Sequence, residues 1–346
     1  MAKEQIWYER DSRIIPALYQ PALLIDLALS REINSHYLLR GTGIFLEEIT
    51  DRDMSISPED LFTLIENASK LPNCEDLSFL LGQHLLPGHF GDVSHALRTA
   101  ADLRQALDYL HRYRAIISPL MSPELVIDRK SFHIVWRDSC GSGALRTFIV
   151  ESAMTSVVAM TKLLSGERPP WKFSFRHCKP KHIEQYWVHL GEDLKFDWQL
   201  DMMSLPLEYL HKPWPGSSPT AALSAQLGSG KQLQLLHAHQ SFLDYLHYHL
   251  LDGIRNPLSL ESVAASFSMS PATLKRKLKK HRTSFQLQLD EVRKEVAIWL
   301  YHSRGYSNDE VAEWLNFKDV TNFRRSFRRW TGSSPSAIRD IWRRMA

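Results

Sequence analysis

Glu261-Ser262-Val263-Ala264-Ala265-Ser266-Phe267-Ser268-Met269-Ser270, followed by Leu274-Lys275-Arg276-Lys277-Leu278, has a counterpart further along the chain. The counterpart is Asp309-Glu310-Val311-Ala312-Glu313-Trp314-Leu315-Asn316-Phe317-Lys318, followed by Phe323-Arg324-Arg325-Ser326-Phe327. Val263 and Val311 are 48 positions apart (311 − 263), and Leu274 and Phe323 are 49 apart (323 − 274), so the second copy has one extra turn residue. Each copy reads as a short helix, a tight turn and a second helix with a basic free face. That is a helix-turn-helix, written twice.

Helical phase supports this reading. At about 100° per residue, Leu274 and Leu278 share one face, and Arg276 points away from it, flanked by Ala272, Thr273, Lys279 and Lys280. In the second copy Val320, Phe323, Phe327 and Trp330 form the inward stripe. Arg325 points away, flanked by Thr321, Asn322, Arg328 and Arg329. Arginine reads guanine edges through a bidentate fork, and short polar side chains meet other base edges. Arg276 and Arg325 are therefore the expected central contacts, with Ala272, Thr273, Lys275, Thr321 and Asn322 tuning sequence choice. Lys279, Lys280, Arg328 and Arg329 suit phosphates. A single helix of this kind is equally consistent with a solvated amphipathic face. Two in matched phase, each preceded by a matched short helix, favour duplex recognition.

The stretch from Leu258 to Arg339 resembles the DNA-binding domain of the AraC/XylS transcription regulators. The residues carrying the resemblance include Ser259-Leu260-Glu261-Ser262-Val263-Ala264, Met269-Ser270-Pro271-Ala272-Thr273-Leu274-Lys275-Arg276, Asp290-Glu291-Val292-Arg293, and the run from Asn322 through Trp330-Thr331-Gly332-Ser333-Ser334-Pro335-Ser336. The resemblance implies a long helix bracing the two modules, which Ser284 to Tyr301 fits, with Leu287, Val292, Val296 and Leu300 as apolar positions. It also implies that both recognition helices enter successive major-groove segments on one face of the duplex, roughly 34 Å apart. Members of that family often carry Gly in each turn; here the positions are Ser268 and Asn316. Asn tolerates left-handed backbone, whereas Ser is less suited, so the first turn is expected to be strained or differently shaped.

The 346 residues exceed what this module needs, so a further domain is expected. Overall charge is only +3, but its distribution is uneven. Leu251 to Ala346 holds 18 Lys+Arg and 10 Asp+Glu, a net of +8; the remainder of the 42 basic and 39 acidic residues, 24 and 29, is −5. This places the polyanion-binding surface at the C-terminal end. The three cysteines, Cys74, Cys140 and Cys178, show no metal or disulfide spacing and no activating context. Met1-Ala2-Lys3-Glu4-Gln5 lacks signal character, and the apolar windows Leu23 to Leu29 and Phe148 to Leu164 are short or carry Asp26 and Glu151. No membrane span and a cytoplasmic location are expected.

Residues 1–212 read as one α+β domain. Ser57-Pro58-Glu59-Asp60 starts a helix, with Leu61, Leu64, Ile65 and Ala68 following at helical spacing. Further helices carry Val93 to Ala100 and begin at Asp102. Leu125-Val126-Ile127 and Phe132-His133-Ile134-Val135-Trp136 suggest a hairpin. A long helix runs from Ala144 to Leu164 and stops at Gly166. Lys172 to Cys178 is expected as a strand, Pro180 to Leu190 as a helix, and Leu194 to Phe196 and Met203 to Leu205 as short strands. The region is similar to the arabinose-binding-type effector domain of one branch of AraC regulators, on Gly88-His89-Phe90-Gly91-Asp92, Leu103-Arg104-Gln105-Ala106-Leu107, Arg112-Tyr113, Phe175-Arg176-His177 and Phe196-Asp197. The resemblance implies small-molecule sensing or self-association, without naming the molecule.

Residues 213–230, with Pro213, Pro215, Gly216 and Pro219, read as a linker, and residues 231–346 as the DNA-binding domain opened by a helix from Lys231 to Leu251. The fold class is thus an α+β effector domain followed by an all-α double helix-turn-helix. His237, His239, His247 and His249 lie on that opening helix at spacings that prevent chelation, so no metal site is expected. No phosphate loop, dinucleotide fingerprint or nucleophile elbow occurs, and no catalytic residue or cofactor is assigned. The function implied is a DNA-binding transcription regulator answering to a small-molecule effector. The expected partners are promoter or operator duplex, the effector, RNA polymerase and a second copy of the chain on DNA. One alternative is a ligand-independent regulator whose first domain only dimerises. Another is an enzyme with a DNA module, which requires a cluster of buried titratable groups that the sequence does not display.

Overall fold

A computed structural model of the chain describes residues 7–49, 54–71, 74–236 and 238–339. Met1–Gln5 and His237, both read above from sequence, lie outside the described residues. The chain divides into two compact units, one closing at Phe242 and the other opening at Leu243.

The first unit is α+β. Its helices are α1 (Gln20–Leu29), α2 (Ser35–Leu39), α3 (Pro58–Ser69), α4 (Leu77–Leu85), α5 (Asp92–Arg98), α6 (Leu103–Arg112), α7 (Arg114–Ile117), α8 (Arg146–Ser165), α9 (Ile183–His189) and α10 (Pro219–Leu235). Its strands are β1 (Ile15–Pro16), β2 (Ser55–Ile56), β3 (Met121–Ile127), β4 (Ser131–Asp138), β5 (Lys172–Ser174), β6 (Leu194–Lys195) and β7 (Met202–Pro206). β1 and β2 pair alone; the other five form one sheet in the order β3-β4-β7-β5-β6, antiparallel except between β5 and β6.

Local chemistry sets these bounds. Ser57 and Asp60 close a reciprocal capping box on α3, and Asp102 caps α6 by accepting from the Gln105 amide. α8 ends at Gly166, whose φ of 73° is left-handed. α8 is long and apolar enough to span a bilayer, yet 67% of its apolar window is buried in the unit. It crosses α4 closely, because a Cβ on Gly82 would lie 2.6 Å from the Ser152 carbonyl oxygen and 2.6 Å from the Thr155 Cβ. The strand expected over Lys172 to Cys178 stops at Ser174. Beyond it the Arg176 amide donates to the Asp201 carboxylate (2.8 Å) rather than to a strand neighbour.

Most of the stretch read as a linker, from Pro219 onward, is helix. Ser218 caps a helix whose first residue is Pro219, and Ala221, Ala222 and Ala225 favour its propagation. Gly228 serves packing: a Cβ on it would fall 2.2 Å from an Asp92 carboxylate oxygen. Gln226 donates to the Tyr109 hydroxyl (2.6 Å), and Gln232 to the Phe90 carbonyl (3.1 Å). The motif Gly88 to Asp92 is thereby the seat of α10. The helix expected from Lys231 to Leu251 is broken between Leu235 and Phe242. In the break, the Tyr8 amide donates to the Gln240 carbonyl (3.0 Å) and the Phe242 amide to the Tyr8 carbonyl (2.8 Å). The chain remains hydrogen-bonded into the first unit through Phe242.

The second unit is helical: α11 (Phe242–Asp252), α12 (Leu260–Ser266), α13 (Pro271–Lys280), α14 (Phe285–Trp299), α15 (Asn308–Trp314) and α16 (Val320–Thr331). α14 continues into a wider turn over Leu300–Arg304 that ends at Gly305. Leu289, Val292, Val296, Ala297, Ile298 and Leu300 are its buried apolar residues; Leu287, expected among them, lies in the first turn and is 56% exposed. α11 packs on the first module through Tyr245 and His249 against Phe267, both with ring centroids 5.0 Å apart. His249 also bonds the Ser266 hydroxyl at 3.0 Å, and buried His247 lies 3.6 Å from Glu295.

Candidate DNA-binding face and effector cavity

The two modules repeat each other in detail. Ser259 and Ser262 close a capping box on α12, as Ser307 and Glu310 do on α15. The Ser307 amide and hydroxyl hold the Glu310 carboxyl below its ordinary pKa. In the first turn the Ser268 amide donates to the Ala265 carbonyl (2.9 Å) and Met269 to Ala264 (3.0 Å). In the second, Asn316 donates to Glu313 (3.0 Å) and Phe317 to Ala312 (2.9 Å). Ser268 has φ 55° and Asn316 φ 57°. The first turn is therefore not differently shaped: it takes the same left-handed residue as the second, with serine bearing the strain.

Each turn delivers a recognition helix with one buried and one exposed face. Leu274 and Leu278 are buried on α13, and Phe323 and Phe327 on α16. Opposite them Ala272, Lys275, Arg276, Lys279 and Lys280 are exposed, as are Thr321, Asn322, Arg325, Arg328 and Arg329. Two of the expected tuning residues also serve the caps. Thr273 is half-buried, its hydroxyl 3.0 Å from that of Ser270, and its amide donates to the same hydroxyl at 3.1 Å. The Asn322 side-chain amide donates to Asp319 at 2.7 Å. Both hold the first turn of their helix and keep an oxygen that can accept.

On α16, Thr321, Arg324, Arg325, Arg328 and Arg329 share a cleft with Asn308, Ser334, Pro335 and Ser336. Arg324 was missed in the sequence reading, although 321, 324, 325, 328 and 329 fall on one helical face at spacings of three and four. Arg329 donates to the shielded Asp290 carboxylate of α14 at 2.9 Å, which ties the recognition helix to the brace. The Arg293 guanidinium lies 5.2 Å from the centre of the Phe317 ring and fixes the second turn on the same helix. Burial lowers the pKa of Arg293.

The first unit contains two features that sequence did not place. One is a cavity between α4, α8 and the sheet, lined among others by Leu81, Leu85, Trp136, Phe148, Ile149 and Ser152. The other is a buried chain of titratable groups. Ser78 donates to Glu151 at 2.6 Å, the Tyr186 hydroxyl donates to the other Glu151 oxygen, and His177 Nε2 lies 2.8 Å from that hydroxyl. Burial pushes the Glu151 carboxyl up to about 7 and lowers His177. Burial and the Glu151 charge raise Tyr186. The sequence showed Glu151 only as a charge in an apolar run, because its partners lie 73 and 35 positions away. Glu151 and Tyr186 are buried, Tyr186 packing against Phe79, Phe175 and Phe196, while His177 at the end of the group is half-buried.

A family profile described as the arabinose-binding domain of AraC transcription regulators, N-terminal, matches residues 33–214, more than half of the chain. The chain belongs to the AraC family of transcription regulators. A helix-turn-helix profile matches residues 263–341 of this AraC-type chain. It is 27% identical over 330 residues to the ornithine utilization regulator of Pseudomonas aeruginosa, covering 95% of the chain and 97% of the relative. It is 22% identical over 329 residues to an HTH-type transcriptional regulator of Mycobacterium tuberculosis, covering 92% and 94%. The crystal structure of the transcriptional regulator CdpR from Pseudomonas aeruginosa aligns over 97% of the chain and 100% of its own, at 17% identity and a TM-score of 0.45.

Proposed function

We propose that this AraC-type regulator reads its operator with Arg276 and Arg325 as the central base contacts of α13 and α16. Ala272, Thr273, Lys275, Thr321, Asn322 and Arg324 adjust sequence choice. Lys279, Lys280 and Arg328 meet phosphates, and Arg329 aligns α16 through Asp290. The observation that carries this reading is the exposure of both arginines opposite fully buried apolar pairs, on helices delivered by turns with the same hydrogen bonds. The regulator acts in the cytoplasm, as a pair of copies on promoter duplex, and works on RNA polymerase. We assign it no reaction.

The first unit is the effector-sensing domain. The cavity beside α8, with its apolar walls and few polar groups, is the feature that supports sensing over a purely dimerising role. Two measurements test this function. In gel-shift titrations, Arg276→Ala weakens specific binding by roughly 1–3 kcal/mol, whereas Lys280→Ala mainly flattens the salt slope. Equal losses for Arg276→Ala on operator and random duplex contradict base readout. Thermal-shift screening with metabolites tests sensing, since a true effector stabilises the folded chain by mass action.

A further inference from the structure

We infer that the cavity of the first unit takes a small, uncharged, mostly hydrocarbon molecule whose one hydrogen-bond acceptor is held by the indole N–H of Trp136. This rests on the reading of the first unit as an effector domain and adds the chemistry of the effector.

Among the described residues, the lining contains no charged side chain. Its polar side chains besides Trp136 are Gln20, Ser118, Ser152 and Ser156. Ser152 donates to the Ser78 carbonyl (2.8 Å), Ser156 to Ala153 (2.7 Å), Ser118 to Met121 (2.5 Å), and the Gln20 amide to Ile117 (2.5 Å). Each of these groups already donates a hydrogen bond to the backbone. Trp136 differs. It stands on the buried face of β4 with Phe132 and Ile134, is 3% exposed, and its Nε1 has no acceptor. A buried donor left without an acceptor is costly, and an acceptor in the cavity would recover that loss.

The same lining selects against charge. An ammonium or carboxylate taken into this site would lose its hydration and find no counter-ion. A diamino acid or other zwitterion is therefore a poor match. A sugar is also poor, since a lining this apolar cannot satisfy several hydroxyls at once. The free volume of about 50 Å³ limits the molecule to a few heavy atoms, or to a small ring if half-buried Phe148 yields. Ketones, lactones and amides of that size fit.

The test uses the full chain and the isosteric pair cyclopentanone and methylenecyclopentane, which differ by a carbonyl oxygen in place of a methylene. Cyclopentanone is expected to bind wild-type protein about tenfold more tightly than methylenecyclopentane, the worth of one hydrogen bond. In Trp136→Phe the two should converge. The wild-type comparison stands by itself if that variant folds poorly. Cyclopentanecarboxylate, L-ornithine and L-arabinose should leave the melting temperature unchanged. Equal binding of the isosteric pair to wild type overturns the inference, as does the absence of a shift from every compound. Stabilisation by L-ornithine or L-arabinose also overturns it while leaving effector sensing intact. If neither these compounds nor a metabolite screen stabilises the chain, the effector reading itself fails.

Discussion

Replacing Glu151 by Gln should change how the stability of the first unit depends on pH. The carboxyl ordinarily titrates near 4.5, and burial raises it to about 7 in the folded chain. Below pH 4.5 it is protonated both folded and unfolded, so burial costs nothing through ionisation. Between 4.5 and 7 the unfolded chain releases its proton and the folded chain keeps it, so stability falls as pH rises. Above 7 the loss is complete and constant. A rise from 4.5 to about 7 corresponds to roughly 3 kcal/mol, most of which falls between pH 5 and pH 8. Glutamine keeps the shape without the ionisation. Its amide can donate to the Tyr186 hydroxyl, which then donates to His177 Nε2, and Ser78 still donates to the side-chain oxygen. Denaturant unfolding of both full-length proteins, followed at pH 5, 6, 7 and 8, reads the difference directly. Glu151→Gln should gain on wild type by roughly 2–3 kcal/mol across that range. Parallel pH profiles would refute the reasoning and mean that Glu151 ionises freely in the folded protein.

Other outcomes follow from single contacts. Gly82→Ala should destabilise the first unit by about 1–3 kcal/mol, because its Cβ meets the Ser152 backbone carbonyl rather than a movable side-chain end; an unchanged melting temperature would show that α4 and α8 separate easily. Ser268→Gly should stabilise the second unit by about 0.5–1 kcal/mol, the left-handed strain removed less the extra freedom of glycine in the unfolded chain. Its operator affinity should be unaltered, and a weakened variant would show that the serine hydroxyl contributes to binding.

The second unit was legible in the sequence because its signals are local. Ser259, Ser270, Ser284 and Ser307 each cap the helix that follows them, and the buried pairs Leu274–Leu278 and Phe323–Phe327 recur at one helical turn. Most first-unit elements were legible for the same reason. The errors fall where meaning depends on distant residues. Pro219, Gly228 and Gly230 have the composition of a linker, and only the proximity of Asp92 shows Gly228 to be a packing position. Glu151 looked like an interruption because nothing nearby in sequence announces Ser78 or Tyr186. The cavity was invisible for the further reason that a void is set by how whole side chains fail to meet. Arg324 is a different case, since its place on the exposed face of α16 beside Arg325 and Arg328 follows from helical spacing alone.

The central claim, that two braced recognition helices read one face of a duplex, is tested most directly by hydroxyl-radical footprinting of the full chain on its operator. Two protected patches roughly 10.5 base pairs apart on one face are expected, with Arg276→Ala erasing one and Arg325→Ala the other. A single patch, or loss of the same patch in both variants, would contradict the account.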